Sequence, residues 1–164
     1  MNNIILVGFM GSGKSSIAKA LALKNDTFYI DTDILIESKI GKSINEIFKD
    51  IGEEFFRDEE RKVTSWINEH IDNGIIATGG GLPIFASQIK ECGKVIFIDV
   101  AFETLKNRIS IKEESKRPLF STPDLKELFT QRRKIYEEIS DFIIDGDKEL
   151  DVVINQISTL LHQH

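Results

Sequence analysis

Residues 4–19 read IILVGFMGSGKSSIAK, and this stretch constrains the fold more than any other part of the chain. A β-branched apolar run enters a glycine-rich turn, and Lys14, Ser15 and a helical pattern follow. The spacing GxxxxGK[ST] between a strand and a helix is that of a phosphate-binding loop. Its glycines let backbone N–H groups point at an anion. A glycine-rich turn that binds nothing is the alternative, and the correct flanking elements disfavour it.

Two side chains of this loop have predicted chemical tasks. Lys14 supplies a flexible positive charge for the β- and γ-phosphates, and the hydroxyl of Ser15 is a suitable Mg²⁺ ligand. The sequence therefore predicts a site for a triphosphate and a magnesium ion at the end of the first strand.

Short apolar runs alternate with helical patterns along the whole chain. The runs occupy residues 4–7, 28–30, 75–77, 95–98 and 142–144. The helical patterns occupy residues 15–24, 32–39, 43–49, 53–71, 102–108, 124–140 and 151–161, and Ser43 with Glu46 forms a capping box. Continuous apolar runs are typical of parallel strands buried on both faces. The alternation predicts a three-layer α/β/α sandwich, and 164 residues favour one domain, residues 1–164.

Composition excludes several classes of protein. No apolar run approaches the roughly 18 residues that a membrane span needs, and the first strand begins close to Met1, where a signal peptide would stand. The single cysteine, Cys92, is typical of a reducing compartment. A net charge of −6 without a basic block disfavours a nucleic-acid partner. We therefore expect a cytoplasmic protein without a membrane or nucleic-acid partner.

Residues 110–122 read SIKEESKRPLFST and break the pattern between two helices. A solvated surface loop is one interpretation. The other is a mobile lid that brings Arg117 over the phosphates and excludes water. The phosphate loop upstream favours the lid.

Polar and glycine residues follow two of the predicted strands, where a parallel α/β sheet binds its ligands. Asp31 could hold Mg²⁺, and Asp33 could accept a hydrogen bond or a proton from an attacking hydroxyl. Capping of the next helix is the alternative for these two carboxylates. The glycines at 79–81 offer bare backbone N–H groups after the third strand, or form only a flexible turn.

Several arginines are candidate ligands for an anion. Arg57 and Glu60 lie three residues apart on one predicted helix face, so the carboxylate can lock the guanidinium; an exposed ion pair is the alternative, and the many charges on this helix favour it. Arg132 and Arg133 precede the last strand, where a solvated face is the alternative. Arg108 either stacks on a base or satisfies helix-terminal carbonyls.

Taken together, these motifs resemble the shikimate kinase family. The matching segments are GFMGSGKS at 8–15, DTD at 31–33, SINEIF and GEEFFRDEE within 43–60, TGGG at 78–81, RPLF at 117–120 and RRKIY at 132–136. They cover nearly the whole chain in family order. The resemblance implies transfer of the γ-phosphoryl group of ATP to the 3-hydroxyl of shikimate with Mg²⁺. It also implies a monomer with a P-loop kinase fold, a five-stranded parallel sheet of order 2-3-1-4-5, a substrate-binding segment at about 32–60 and a lid at about 110–122.

The resemblance also assigns roles to residues. Catalysis falls to Lys14, Asp33 and Arg117, and nucleotide binding to Gly11, Ser12, Gly13, Lys14, Ser15, Ser16, Arg108 and Arg117. Shikimate binding falls to Asp33, Arg57, Gly79, Gly80, Gly81 and Arg133, with Phe48 and Phe56 lining the ring. Ser15 and Asp31 are the expected metal partners.

Two alternatives remain open at this point. A different small-molecule kinase on the same scaffold, for gluconate or a nucleoside monophosphate, would keep the phosphate loop but not the carboxylate-and-diol pocket of Arg57, Arg133 and the three glycines. A nucleotide-binding regulator without turnover would keep the loop and need not keep Asp33.

Overall fold

The computed structural model of the chain describes residues 3–112 and 125–163. Arg117 and most of the predicted lid at 110–122 lie outside the described residues. Within the described part, no helix combines the length and the apolar composition that crossing a bilayer requires.

A five-stranded parallel sheet forms the centre of the molecule, with strand order β2-β3-β1-β4-β5. The strands are β1 (Asn3–Val7), β2 (Tyr29–Asp31), β3 (Ile75–Ala77), β4 (Gly93–Asp99) and β5 (Phe142–Asp145). β1 lies in the middle, where Ile5 pairs with Ile76 on one side and Val95 on the other. The predicted fold class, strand number and strand order are confirmed.

Helices connect the strands and cover the sheet. They are α1 (Lys14–Lys24), α2 (Thr32–Ile40), α3 (Ile44–Asp50), α4 (Glu53–His70), α5 (Leu82–Phe85), α6 (Phe102–Lys112), α7 (Leu125–Ile139) and α8 (Leu150–Gln163). The capping box before α3 is present, with Ser43 and Glu46 each bonded to the other's backbone. The prediction ended α6 four residues early, at Arg108. α5 was not predicted, because one helical turn is too short to show a periodic pattern.

Two apolar clusters hold these elements together. The larger one surrounds β1, β3 and β4, where Ile5, Ile76 and Ile96 have no exposed surface. The smaller one joins α2, α3 and α4 through Ile36, Ile47 and Phe56. Residues of 32–60 thus pack around a small core of their own, beside the carboxyl ends of the strands.

Candidate active site

The phosphate loop leaves the end of β1 and holds its lysine tightly. Lys14 is 7% exposed, and its Nζ donates to the carbonyls of Gly8 (2.8 Å) and Phe9 (2.9 Å) and to Ser12 Oγ (3.2 Å). Gly8 has a φ of +149°, and a Cβ there would stand 2.7 Å from the carbonyl oxygen of Ile98. Only glycine lets the loop pass this close to β4. The loop therefore presents a preorganised lysine ammonium at the N-terminus of α1.

Ser15 and Asp31 meet at the mouth of this loop. Ser15 Oγ donates to Asp31 Oδ2 at 2.5 Å. The other carboxylate oxygen of Asp31 accepts from the backbone N–H groups of Asp33 (3.0 Å) and Ile34 (3.3 Å), which caps α2. Both interpretations of Asp31 are therefore compatible, since one oxygen caps the helix and the other faces the serine hydroxyl.

The glycine turn after β3 is hydrogen-bonded to residues of α2 and α7. The N–H of Gly79 donates to Thr32 Oγ1 at 2.9 Å, and the carbonyl of Gly80 accepts from the Tyr136 hydroxyl at 2.5 Å. The predicted free N–H at Gly79 is therefore wrong, because the protein itself uses that donor. The N–H of Gly80 makes no hydrogen bond to any described residue.

Arg57 is buried, and two carboxylates accept hydrogen bonds from its three guanidinium nitrogens. Its Nη1 donates to Glu60 Oε2 at 2.8 Å, and its Nη2 and Nε donate to Glu53 Oε1 at 2.9 and 3.1 Å. The guanidinium and the Glu60 carboxylate are 7% and 1% exposed. The prediction that Glu60 locks Arg57 is confirmed, and the exposed ion pair is wrong, because both groups are buried.

Aromatic rings surround the same guanidinium. Its central carbon lies 5.7 Å from the ring centre of Phe48, 5.3 Å from that of Phe56 and 4.0 Å from that of Phe85. Phe48 and Phe56 pack at 5.0 Å between ring centres. Phe85 was not predicted. Together the rings form an apolar wall beside the positive charge.

Helix α7 directs Arg132, rather than Arg133, toward this cluster. Arg132 is 5% exposed, the charges of Arg57 and Glu60 act on it, and its Nη1 has no hydrogen-bond partner among the described residues. Arg133 is 44% exposed and donates to Asp99 at 2.6 and 3.0 Å. This corrects the expectation for Arg133, because consecutive helical residues point in directions about 100° apart.

The signal for Arg132 was present in the sequence. Arg132 and Tyr136 are four residues apart and share a helix face, and Tyr136 is 1% exposed. An aromatic residue at that spacing marks the buried face. Burial raises the pKa of Tyr136, and a hydrogen bond with Arg132 opposes that shift. Tyr136 therefore connects Arg132 to the carbonyl of Gly80.

The site strongly perturbs the protonation of Glu60. Burial raises its pKa to about 7, the positive charge and hydrogen bond of Arg57 oppose the shift, and the negative charge of Asp33 adds to it. Its Oε1 has no partner among the described residues. Asp33, Glu60 and the two buried arginines thus form one electrostatically coupled group.

We expect Glu60 to change the pH dependence of folding. Its folded pKa of about 7 lies above the ordinary glutamate pKa of 4.5, so between those pH values the folded state binds more protons than the unfolded state. Stability therefore falls as pH rises through this window, by up to about 3 kcal/mol, and is constant above it. Urea unfolding at pH 5 and pH 8 should show this loss in the wild type but not in Glu60→Gln.

Glu59 is a matched control on the same helix, since it is 3% exposed. Desolvation raises its pKa, but hydrogen bonds from Lys39 and Lys62 outweigh this and lower it overall. Its contribution to stability is therefore lost as pH falls, which is the opposite sign. Equal slopes for Glu59→Gln and Glu60→Gln would contradict the assignment.

Arg108 bridges two loops at the nucleotide end. Its Nη1 lies 3.5 Å from the carbonyl oxygen of Gly11, and its Nη2 lies 3.4 Å from that of Gly146. The side chain therefore spans the phosphate loop and the turn after β5. Contact with adenine remains a prediction. A cleft of about 570 Å³ lies at the carboxyl ends of β4 and β5, lined by Asp99, Phe102, Phe129 and Arg133 among others.

A parallel sheet of order 2-3-1-4-5, with a phosphate loop on its central strand and two buried arginines beside it, defines the class of P-loop kinases. The sequence model of the shikimate kinase family matches residues 10–162. The chain belongs to the shikimate kinase family. It is accordingly an ATP-dependent transferase of the shikimate pathway that phosphorylates shikimate.

Individual relatives agree with this assignment. A shikimate kinase from Helicobacter hepaticus is 45% identical over 90% of this chain and 88% of its own length. The structure resembles that of shikimate kinase from Aquifex aeolicus, with a TM-score of 0.82 and 34% identity over 98% of this chain and 96% of that one. It also resembles shikimate kinase from Acinetobacter baumannii in complex with shikimate, with a TM-score of 0.88 and 27% identity over 99% and 94% of the two chains.

Proposed function

We propose that the buried cationic cluster beside the glycine turn is the shikimate site, and that the carboxylate of the substrate binds between Arg57 and Arg132. The observation that carries this assignment is the Nη1 of Arg132, a buried donor that lacks a partner among residues 3–112 and 125–163 and lies next to a second buried guanidinium. A buried donor without a partner costs about 1–3 kcal/mol, and a ligand carboxylate removes that cost. The planar fork of arginine also matches a carboxylate.

The remainder of the pocket suits a hydroxylated ring. Phe48 and Phe56 offer an apolar wall, and the glycine turn allows close approach of the ligand. Gly80 is the member of that turn to which we assign a substrate hydrogen bond, since its N–H is not used by the described residues. Gly79 and Gly81 lie in the same turn.

Asp33 is the proposed partner of the attacking hydroxyl. It lies in the first turn of α2, directly after β2 and beside the glycine turn, and its negative charge reaches Glu60 in the proposed acceptor pocket. From that position its carboxylate orients the 3-hydroxyl of shikimate and accepts its hydrogen bond or proton. The rate comes mainly from alignment and charge neutralisation, because phosphoryl transfer needs little covalent participation by the protein.

The phosphates of ATP are assigned to the loop at the N-terminus of α1. The proposed ligands are the residues Gly11, Ser12, Gly13, Lys14, Ser15 and Ser16. Lys14 neutralises charge on the phosphoryl oxygens, and Arg117 is the proposed lid cation for the same charge. Arg108 is the proposed contact for adenine.

The chemistry of Ser15 and Asp31 suits Mg²⁺. The hydroxyl and the carboxylate meet at 2.5 Å beside the loop, and both supply the hard oxygen atoms that Mg²⁺ prefers. Bound there, Mg²⁺ would supply positive charge that offsets the phosphate charge the nucleophile must approach. Ser15 would hold it, with Asp31 as the acidic partner.

Replacing Asp31 by asparagine isolates this role. Asparagine is an equally good N-cap, so α2 should stay formed. Loss of the negative charge should raise the Mg²⁺ concentration for half-maximal activity by about tenfold, which is typical of an impaired metal partner. Titration of activity with MgCl₂ measures this, and circular dichroism checks the helix. An unchanged Mg²⁺ requirement would contradict the assignment of Asp31.

An acceptor panel tests the proposed substrate. ADP release coupled to NADH oxidation should require shikimate, and gluconate and nucleoside monophosphates should support less than about one hundredth of that rate. Open-chain gluconate and the larger nucleoside monophosphates do not place an acid group at the buried guanidinium groups and a hydroxyl at Asp33 at the same time. Equal rates with gluconate would contradict the pocket assignment. Tight ATP binding without shikimate-dependent ADP release would instead indicate a regulator.

We also propose that residues 1–164 act as one domain and as a cytoplasmic monomer without a nucleic-acid partner. The formal charge of −6 and the reduced, fully buried Cys92 support this. Light scattering coupled to size-exclusion chromatography measures the mass directly.

A further inference from the structure

We propose that Gly79 and Gly81 are positioning residues: the absence of a side chain at each one leaves the space in which the carboxylate of Asp33 and the guanidinium of Arg57 lie. This inference rests on the proposed function, in which those two groups bind and orient the acceptor. It assigns the glycines a role toward the protein's own side chains, distinct from any contact with substrate.

Gly79 lies against Asp33. A Cβ built on Gly79 would stand well inside 3.0 Å of Asp33 Oδ1, 3.1 Å from its Cγ and 3.3 Å from Oδ2. All three of its nearest neighbours belong to this one carboxylate. The backbone of Gly79 is also fixed, because its N–H donates to Thr32 Oγ1 and its carbonyl accepts from Leu82. The steric clash of a Cβ at Gly79 can therefore be removed only if the Asp33 carboxylate moves.

Gly81 lies against Arg57 in the same way. A Cβ there would stand well inside 3.0 Å of Arg57 Nη1, 3.0 Å from Cζ and 3.2 Å from Nη2. The guanidinium has little freedom to retreat, since Glu60 and Glu53 hold its nitrogens and the ring of Phe85 lies 4.0 Å from its central carbon. A methyl group at this position would break or distort the Arg57–Glu60 ion pair.

Neither position needs glycine for its backbone conformation. Gly81 has φ −85° and ψ −25°, which any residue adopts. Gly79 is not among the residues with positive φ. The requirement for glycine is spatial, and the atoms in the way are the ends of side chains. The fold should therefore tolerate alanine, while the functional groups move.

The two glycines act on different steps, so we expect the two alanine variants to change different kinetic constants. Optimal contact between heavy atoms is about 3.5–4.0 Å, so a methyl group displaces either functional group by on the order of 1 Å. In Gly79→Ala the displaced group is Asp33, and kcat should fall about 100-fold. In Gly81→Ala the displaced group is Arg57, and KM for shikimate should rise at least about tenfold. KM for ATP should stay within about twofold in both variants, since neither group is assigned to the nucleotide.

Double variants test whether each glycine acts through its partner. In an Asp33→Ala background, Gly79→Ala should change the residual rate by less than about twofold, because the obstructing carboxylate is already gone. In an Arg57→Ala background, Gly81→Ala should leave KM for shikimate unchanged. Melting temperatures give a readout without activity: each glycine substitution should destabilise the wild type more than it destabilises the background that lacks its partner.

Gly41→Ala is the matched control. Gly41 ends α2 with a φ of +73° and has no described neighbour within 4 Å of a Cβ. It belongs to the segment 32–60 but is not one of the residues assigned to either substrate. Alanine there should lower stability through backbone strain and leave both KM values unchanged. This variant separates loss of stability from displacement of a site group.

The outcomes distinguish this inference from the proposed function. Wild-type protein without shikimate-dependent ADP release would overturn the function. With an active wild type, normal kinetics in both glycine variants would overturn the positioning role, as would effects that add fully in the double variants. If a glycine variant fails to fold alone but folds when its partner is alanine, the steric assignment is supported; failure to fold in both backgrounds would overturn it.

Discussion

Asp33→Asn should lower kcat by about 10²- to 10⁴-fold, which is the contribution expected of a carboxylate that orients or deprotonates the attacking hydroxyl. Asparagine has nearly the same shape, so the contact with Gly79 should survive. It lacks the negative charge and the ability to accept a proton. KM for ATP should stay within about twofold, because the phosphates bind to a separate loop. Steady-state kinetics with both substrates varied measure the two effects.

Two controls sharpen this expectation. Circular dichroism should show that α2 is intact, since its cap is the side chain of Asp31 and not that of Asp33. The pH dependence of the residual rate separates a base from an orienting group, because only loss of a base removes the acidic limb of the profile. Near wild-type kcat in Asp33→Asn would exclude both roles.

The second large effect concerns a matched pair of adjacent arginines. Arg132→Ala should raise KM for shikimate about 10- to 150-fold, corresponding to loss of a charge-assisted hydrogen bond of about 1.5–3 kcal/mol. Arg133→Ala should leave KM for shikimate within about twofold, because that guanidinium is 44% exposed and pairs with Asp99. The two residues are adjacent on α7 and have the same side chain, so the comparison isolates the effect of position.

Arg132 is a cleaner test than Arg57. Removing Arg57 deletes the ion-pair partner of the buried Glu60, which destabilises a protein by about 3–5 kcal/mol and mixes folding with binding. Arg132 has no carboxylate in hydrogen-bond contact among the described residues, and its removal gives up only the hydrogen bond with the Tyr136 hydroxyl there. KM for ATP and the melting temperature serve as controls for Arg132→Ala. A larger effect on shikimate binding in Arg133→Ala than in Arg132→Ala would show that Arg133, rather than Arg132, binds the substrate carboxylate.

The sequence was informative where chemistry depends on local spacing. The phosphate loop, the capping box at Ser43 and the Arg57–Glu60 pair are all defined within a few residues. The strands were predictable because both faces of a parallel sheet are buried, which leaves uninterrupted apolar runs. The fold class and strand order then followed from the motifs and their resemblance to a family.

The sequence was less informative where the outcome depends on distant elements. Whether Arg132 or Arg133 faces the site depends on how α7 packs against β4 and α5. The sequence alone does not distinguish two adjacent arginines. The donor at Gly79 is used by Thr32, which lies 47 positions away along the chain. The close contacts of Asp33 with Gly79 and of Arg57 with Gly81 likewise depend on how α2 and α4 pack against the turn after β3.

A structure of the protein with shikimate and a non-hydrolysable ATP analogue tests the central claim most directly. We expect the substrate carboxylate within about 2.7–3.1 Å of the guanidinium nitrogens of Arg57 and Arg132. The 3-hydroxyl oxygen should lie within about 2.6–3.2 Å of the Asp33 carboxylate and face the terminal phosphate. Shikimate bound in the cleft of Asp99 and Arg133, with its hydroxyl remote from the phosphate loop, would contradict the account.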